Sequence, residues 1–152
     1  MKKPTFKPKK GQIDFTDARW APVINCVLQH KNKILIVQRN KELNFYPNYW
    51  NGISGFLDDK RSLKEKVIDE IKEELGLSKN KIDRIILGEI FDQEEIKYQK
   101  TWIVHPVLVK IKTDKIKLDW EAQSYRWLTI KEAKKLKLLP GFDKVLERVT
   151  GL

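Results

Sequence analysis

Ser62 to Leu77 reads SLKEKVIDEIKEELGL, a segment that carries the signals for both of its own ends. Ser62 with Glu65 three places on makes a capping box, which satisfies orphan amides at a helix start, and Gly76 supplies the residue that stops one. The spacing predicts a helix that begins at Leu63 and ends at Gly76. At about 100° per residue, Leu63, Val67, Ile71 and Leu75 define the face that packs inward. Glu70 and Glu74 fall within about 20° of Leu63, one on each side, and Glu73 lies about 80° away at the edge of the stripe. Lys66, Asp69 and Lys72 lie further round, toward solvent.

Acids at spacings of three and four repel each other by a few tenths of a kcal/mol per pair, and burial adds to that cost. A bound cation removes both penalties. Clustered carboxylates with no histidine or cysteine beside them suit a hard ion such as Mg²⁺ or Mn²⁺. The bland alternative is a surface helix whose glutamates pair with neighbouring lysines, and helical spacing alone leaves both open.

Around this helix the sequence alternates strand-like and helical signals. APVINCVLQ and KILIVQR are apolar, β-branched runs that fit a hairpin turning at Lys31-Asn32, followed by a loop rich in Asn, Pro, Gly and aromatics up to Gly55. KIDRIILGEIF and KTWIVHPVLVKI read as two strands joined by an acidic loop, DQEEIKYQ, with shorter strand-like pieces at KIKL and SYRWL. A second capping box, Thr129 with Glu132, opens a helix IKEAKKL, and GFDKVLERV after Pro140 forms the last helix. Without strict βαβ alternation, this order predicts an α/β or α+β fold with a mixed sheet. At 152 residues, 41% of them hydrophobic, the chain has material for one core. Residues 1–17, with two prolines and a run of lysines, read as a basic N-terminal extension to a domain spanning 18–152. No apolar run approaches the roughly 18 residues of a membrane span and none follows the leading lysines, so the expectation is a cytoplasmic protein without membrane contact.

The net charge of +10 favours polyanionic partners, phosphorylated metabolites or nucleic acid among them, but scattered lysines explain it equally as a solvated surface. The single cysteine, Cys26, lies in an apolar run and reads as a small core residue. GISGF has Phe56 where a nucleophile elbow needs glycine, which argues against Ser54 as a nucleophile.

From Gly55 to Leu77 the chain resembles the Nudix hydrolase family. The family's signature is a glycine, five residues, Glu, seven residues, then Arg-Glu-aliphatic-x-Glu-Glu-x-Gly-aliphatic. Here it runs Gly55, then Arg61 in place of the first Glu, Asp69 in place of Arg, and Glu70-Ile71-x-Glu73-Glu74-x-Gly76-Leu77. The two departures are opposite in sign, so Arg61 and Asp69 are expected to form the family's loop-to-helix pair with the charges exchanged. LIVQRN, Trp50 five residues before Gly55, and YRWLTIKEA extend the likeness over roughly Trp20 to Val149.

The resemblance implies an α/β/α sandwich around a central mixed β-sheet. It also implies a metal-dependent hydrolase that cleaves a diphosphate bond in a nucleoside diphosphate linked to another moiety. By the same resemblance Glu70, Glu73 and Glu74 hold Mg²⁺ or Mn²⁺, helped by the carbonyl of Gly55, and Glu121 on a late loop serves as general base. Arg39, by its forked geometry, and Trp50, by stacking, are candidates for substrate contact. Arg61 leaves the number of ions open, and Asp58 and Asp59 read as surface loop acids. The competing function is a catalytically weak module of the same fold that binds nucleotide or nucleic acid. A small phosphorylated substrate is the favoured partner, with the protein a monomer or homodimer. Isomerase chemistry on an isoprenoid diphosphate needs a reactive cysteine, which Cys26 does not supply.

Overall fold

The computed structural model describes residues 7–151. Strands β1 (Trp20–His30) and β2 (Lys33–Arg39) form the expected hairpin around Lys31 and Asn32, with His30 opposite Lys33. Strands β3 (Trp50–Asn51) and β4 (Ile53–Phe56) follow the aromatic loop, and α1 (Leu63–Leu75) comes next. Then come β5 (Ile82–Leu87), β6 (Phe91–Glu95), β7 (Lys100–Ile111), β8 (Ala122–Leu128), α2 (Ile130–Ala133) and α3 (Phe142–Thr150). The sheet runs β3-β2-β1-β7-β5, with β4 also on β1, β6 also on β7 and β8 also on β2. β1 and β7 are parallel and the other pairings antiparallel, so the sheet is mixed.

Period-two alternation splits the core into two layers. Ile24, Cys26 and Leu28 of β1, Leu35 and Val37 of β2, and Val107 and Val109 of β7 pack with Val67, Ile71 and Leu75 of α1. Val27, Ile34, Ile36 and Leu108, their neighbours in sequence, pack with Phe142, Val145 and Leu146 of α3. The sheet therefore carries α1 on one face and α3 on the other, a three-layer arrangement. No helix among the described residues is long and apolar enough to cross a membrane.

Three expectations about elements are corrected. DQEE is not loop but the body of β6, paired with β7 from Phe91 opposite Val104 to Glu95 opposite Lys100; alternate side chains of an edge strand face water, so acids are tolerated there. KIKL is not a strand. Its backbone instead docks on the end of α1, where the Lys117 amide donates to the Leu75 carbonyl (3.0 Å) and the Asp119 amide to the Glu74 carbonyl (3.1 Å). Those bonds satisfy carbonyls that a helix C-terminus leaves orphaned. The helix expected over IKEAKKL is shorter, ending after Ala133.

The basic extension falls partly within the structure, and residues 1–6 lie outside the described residues. Where described, it is docked. The Ile13 amide donates to the Asp58 carbonyl (2.7 Å), Phe15 stacks on Phe56 with centroids 6.0 Å apart, and buried Lys100 donates to the carbonyls of Phe15 and Ala18.

Candidate active site

Helix α1 carries the signals its sequence promised. The Ser62 hydroxyl accepts from the Glu65 amide, the Glu65 carboxylate accepts from the Ser62 amide, and Gly76 takes the left-handed conformation at φ 67°. These fixed ends set the rotation of the helix, and with it the places of Glu70, Glu73 and Glu74.

The three helix acids have different surroundings. Glu74 points at the loop that docks on the helix end, and its carboxylate gathers with those of Asp119 and Glu121, with ligand atoms within 4.8 Å of one another. Its Oε2 is buried and, among the described residues, finds no N–H donor, its polar neighbours being the carboxyls of Glu121 and Glu70. Burial first, then the carboxylates of Glu121 and Glu70, pushes Glu74 well above the usual carboxylate range. Burial likewise raises Asp119, with Glu70 adding to it, and raises Glu121, with Asp119 and Glu70 adding to it. Such a cluster concentrates negative potential with too few donors to satisfy it.

Glu70 lies beside Glu74 but is also held by a cation. Its Oε1 lies 3.0 Å from the ammonium of Lys66, whose Nζ also lies 3.3 Å from Asp58 Oδ1. Lys66 is only 4% exposed and Asp58 6%, so both depart from the sequence expectation of a solvent-facing lysine and a surface acid. The wheel places the Lys66 Cα toward the flank, but the long stem folds back under the loop to the two acids. Gln12 Nε2 donates to Asp58 Oδ2 at 2.8 Å, completing the row. Gly55 is where Glu70 comes closest to the sheet: a Cβ there would sit 2.9 Å from Glu70 Cδ. Glu73 lies at the exposed edge of α1, its carboxyl raised by partial burial and then by Glu70 and Asp119.

The loop carrying Asp119 and Glu121 is held from several sides. The Glu121 amide donates to Asp119 Oδ1 (3.0 Å), the Asn40 amide to the Glu121 carbonyl (2.8 Å) and Asn40 Nδ2 to the Trp120 carbonyl (2.7 Å). Arg39 brings charge to the same place from β2, and Glu121 and Glu74 act on its guanidinium. Its Nε and Nη2 donate to the Phe45 carbonyl at 3.1 and 2.9 Å, so the fork faces the aromatic loop. Trp50 is half-buried, with the Arg126 guanidinium 5.2 Å over its ring. His105 is structural, its Nδ1 3.1 Å from the Val23 carbonyl, and Cys26 is fully buried with its thiol pushed up by that burial.

The exchanged pair is formed: Arg61 Nη1 lies 3.0 Å from Asp69 Oδ2. Asp59 shares the same guanidinium, accepting from Nε and Nη2, so this loop acid closes a three-residue array. The sequence reading passed over Asp119, although Asp119 and Glu121 flank a tryptophan in LDWE, and i,i+2 acids in an Asx turn face one way. It also passed over Lys66, for which the i,i+4 relation to Glu70 was the available signal.

The NUDIX domain family model matches residues 19–149. The fold is similar to that of the MutT protein from Methanosarcina mazei Go1 (TM-score 0.66, 20% identity, 85% of this chain and 91% of that one). It is also similar to an Ap4A hydrolase from C. elegans (TM-score 0.68, 20% identity, 86% and 96%). A third likeness is to the NUDIX domain of Shewanella oneidensis NrtR, solved with ADP ribose (TM-score 0.70, 13% identity, 87% and 87%). No curated protein sequence matches significantly. With the signature helix on one face of a mixed sheet and a family match over nearly its whole length, this chain belongs to the NUDIX domain family.

Proposed function

We propose that this protein is a metal-dependent hydrolase that cleaves the diphosphate bond of a nucleoside diphosphate linked to another moiety. The observation that carries the reading is Glu74, whose shielded Oε2 finds no N–H donor and faces two further carboxylates. Leaving a buried carboxylate oxygen unmade costs about 1–3 kcal/mol or more, a penalty that a fold without use for the site has no reason to keep. An all-oxygen donor set of Glu74, Asp119 and Glu121 fits Mg²⁺ or Mn²⁺. Such an ion, when bound, would neutralise diphosphate oxygens and make water a better nucleophile.

The chain's own groups supply the rest. Glu121 is on a loop pinned to α1 and β2, which supports a role for its carboxylate oxygen not given to the ion as the acceptor of a proton from a water at the cluster. Glu70 and Glu73 border the cluster and add to its attraction for cations. Arg39 offsets part of the negative charge from behind and fixes the aromatic loop through Phe45, whereas Trp50 packs on the α3-side core. The small-molecule substrate class is supported by the ADP ribose and Ap4A in the names of the NrtR and C. elegans structures, both compounds with phosphoanhydride bonds.

Release of phosphate or nucleotide is the test, across nucleotide sugars, ADP-ribose, dinucleoside polyphosphates and nucleoside triphosphates, with and without Mg²⁺. The reading expects Mg²⁺-dependent turnover of at least one compound, lowered about 100-fold or more by Glu74→Gln. Tight nucleotide binding with no turnover on any of them would make the protein a binding module instead.

A further inference from the structure

We infer that Lys66 is a built-in cation for this site: its ammonium, held between Asp58 and Glu70, occupies a place a divalent ion would otherwise compete for. It thereby keeps Glu70 out of the ion's coordination, so the protein takes a single divalent ion at Glu74, Asp119 and Glu121. The inference rests on the ion site proposed above and goes beyond it. It departs from what the family resemblance implies for Glu70, and it concerns a residue that the signature leaves unspecified.

The geometry is that of a bridging cation. Nζ lies 3.0 Å from Glu70 Oε1 and 3.3 Å from Asp58 Oδ1, and the three side chains are 5%, 12% and 8% exposed. Both acids are fixed independently of Lys66. Asp58 accepts from Gln12 Nε2, and its carbonyl accepts from the Ile13 amide. Glu70 lies against Gly55, where a Cβ would come within 2.9 Å of its Cδ. The lysine therefore enters a cradle already built for a cation.

Displacing it is costly. A divalent ion that took Glu70 through Oε1 would leave a buried ammonium with Asp58 alone, and one that took it through Oε2 would set a dication beside that ammonium, both costly away from water. The ammonium is tethered to the same helix one turn away, whereas an ion must be drawn from solution and stripped of water. Burial alone would discharge Lys66; Glu70 and then Asp58 more than offset it and hold the proton on. The same substitution accounts for Arg61. Where the signature has a glutamate able to serve a further ion, this chain has a cation already spoken for by Asp59 and Asp69. Both changes lower the negative charge available on the Gly55 side of the cluster.

The test counts bound Mn²⁺ by calorimetry and by electron paramagnetic resonance in five proteins. Wild type should bind one Mn²⁺ per chain. Glu74→Gln should weaken it about tenfold or more, while Glu70→Gln should change its affinity by less than about threefold. Lys66→Met, which keeps the volume of the stem, should gain a second Mn²⁺ or bind the first about tenfold tighter, and adding Glu70→Gln to it should abolish that gain. A merely structural lysine would lower the melting temperature without adding an ion. Loss of the ion in Glu70→Gln alone would overturn the inference while leaving the ion site standing, and that arm decides even if Lys66→Met does not fold. Unchanged count and affinity in a folded Lys66→Met would overturn it too. No Mn²⁺ bound by wild type would remove the ion site and this inference together.

Discussion

Gly55 shows how a single missing side chain sets the position of an acid. A methyl group there would sit 2.9 Å from Glu70 Cδ, inside any real contact, and the flexible end that must yield is the one paired with Lys66. Gly55→Ala is therefore expected to cost little in folding, the flexible carboxylate end yielding, and to change Mn²⁺ affinity by less than about threefold, as Glu70→Gln does. A loss of about tenfold or more would mean that Glu70 belongs to the ion's coordination. Arg61 and Asp69 are more exposed, at 33% and 50% of the side chain, so a double-mutant cycle should return about 0.2–1 kcal/mol of coupling. Full charge exchange, Arg61→Glu with Asp69→Arg, should recover only part of the loss from Asp69→Arg alone, because the new glutamate would face Asp59. Hydrogen bonds from Arg61 hold Asp59 down to about 2, below its ordinary value. A depressed carboxyl stabilises the fold above its unfolded pKa and stops doing so as pH falls through the folded one. The contribution is thus present above about pH 4 and lost toward pH 2, and Asp59→Asn should flatten that part of the acid limb of a melting curve. The exchanged pair could be foreseen from opposite charges at signature positions. Asp59 could not, since nothing in a sequence says which of two neighbouring loop acids turns toward an arginine.

At the scale of elements, α1 was legible from end to end because each terminus is encoded locally, by a hydroxyl, a carboxylate and a glycine within four residues of the first and last turns. The strands of the two-layer core were legible for a similar reason: β-branched runs alternate in register with the sheet. What escaped the sequence was the segment before Glu121. KIKL has the apolar alternation of a strand, and Ile116 and Leu118 do pack inward, but its amides pair with helix carbonyls instead of a strand edge. Local pattern cannot distinguish those partners. This docking makes Gly76 a test of the site at a distance. Its φ of 67° costs any other residue about 1–2 kcal/mol, although a Cβ would meet nothing nearer than Lys117 Cβ at 3.6 Å. Gly76→Ala should therefore lower stability by about that amount through backbone strain, read as a lower denaturation midpoint. Because Lys117 and Asp119 hang on the last turn, it should also loosen the bound ion. An unchanged midpoint would show that the helix end relaxes without cost.

Taken whole, the molecule holds one acid cluster together from three directions: α1 carries Glu74, the loop docked on its end carries Asp119 and Glu121, and the N-terminal segment braces Asp58 and through it Lys66 and Glu70. The basic N-terminal extension read from sequence is part of that brace where it is described. Its prolines, lysines and lack of periodicity conceal single contacts, Gln12 to Asp58 and Lys100 to the Phe15 carbonyl, that no composition records. Removing residues 1–16 should cost about 1.5–3 kcal/mol, the value of a hydrogen bond to a buried charged group, seen as a lower melting temperature. An unchanged melting temperature would mean that Lys100 finds water in place of the Phe15 carbonyl.

The account stands on Glu74 being kept at the expense of the fold for the sake of an ion, and thermal unfolding of wild type and Glu74→Gln, each in chelator and in Mn²⁺, tests that most directly. In chelator the variant should melt higher than wild type, since it loses a buried charge that two carboxylates repel. In Mn²⁺ at about 100 times its dissociation constant, wild type should gain about 2.7 kcal/mol and the variant little, reversing the order. A wild type whose melting ignores the ion, with Glu74→Gln less stable in chelator, would contradict it.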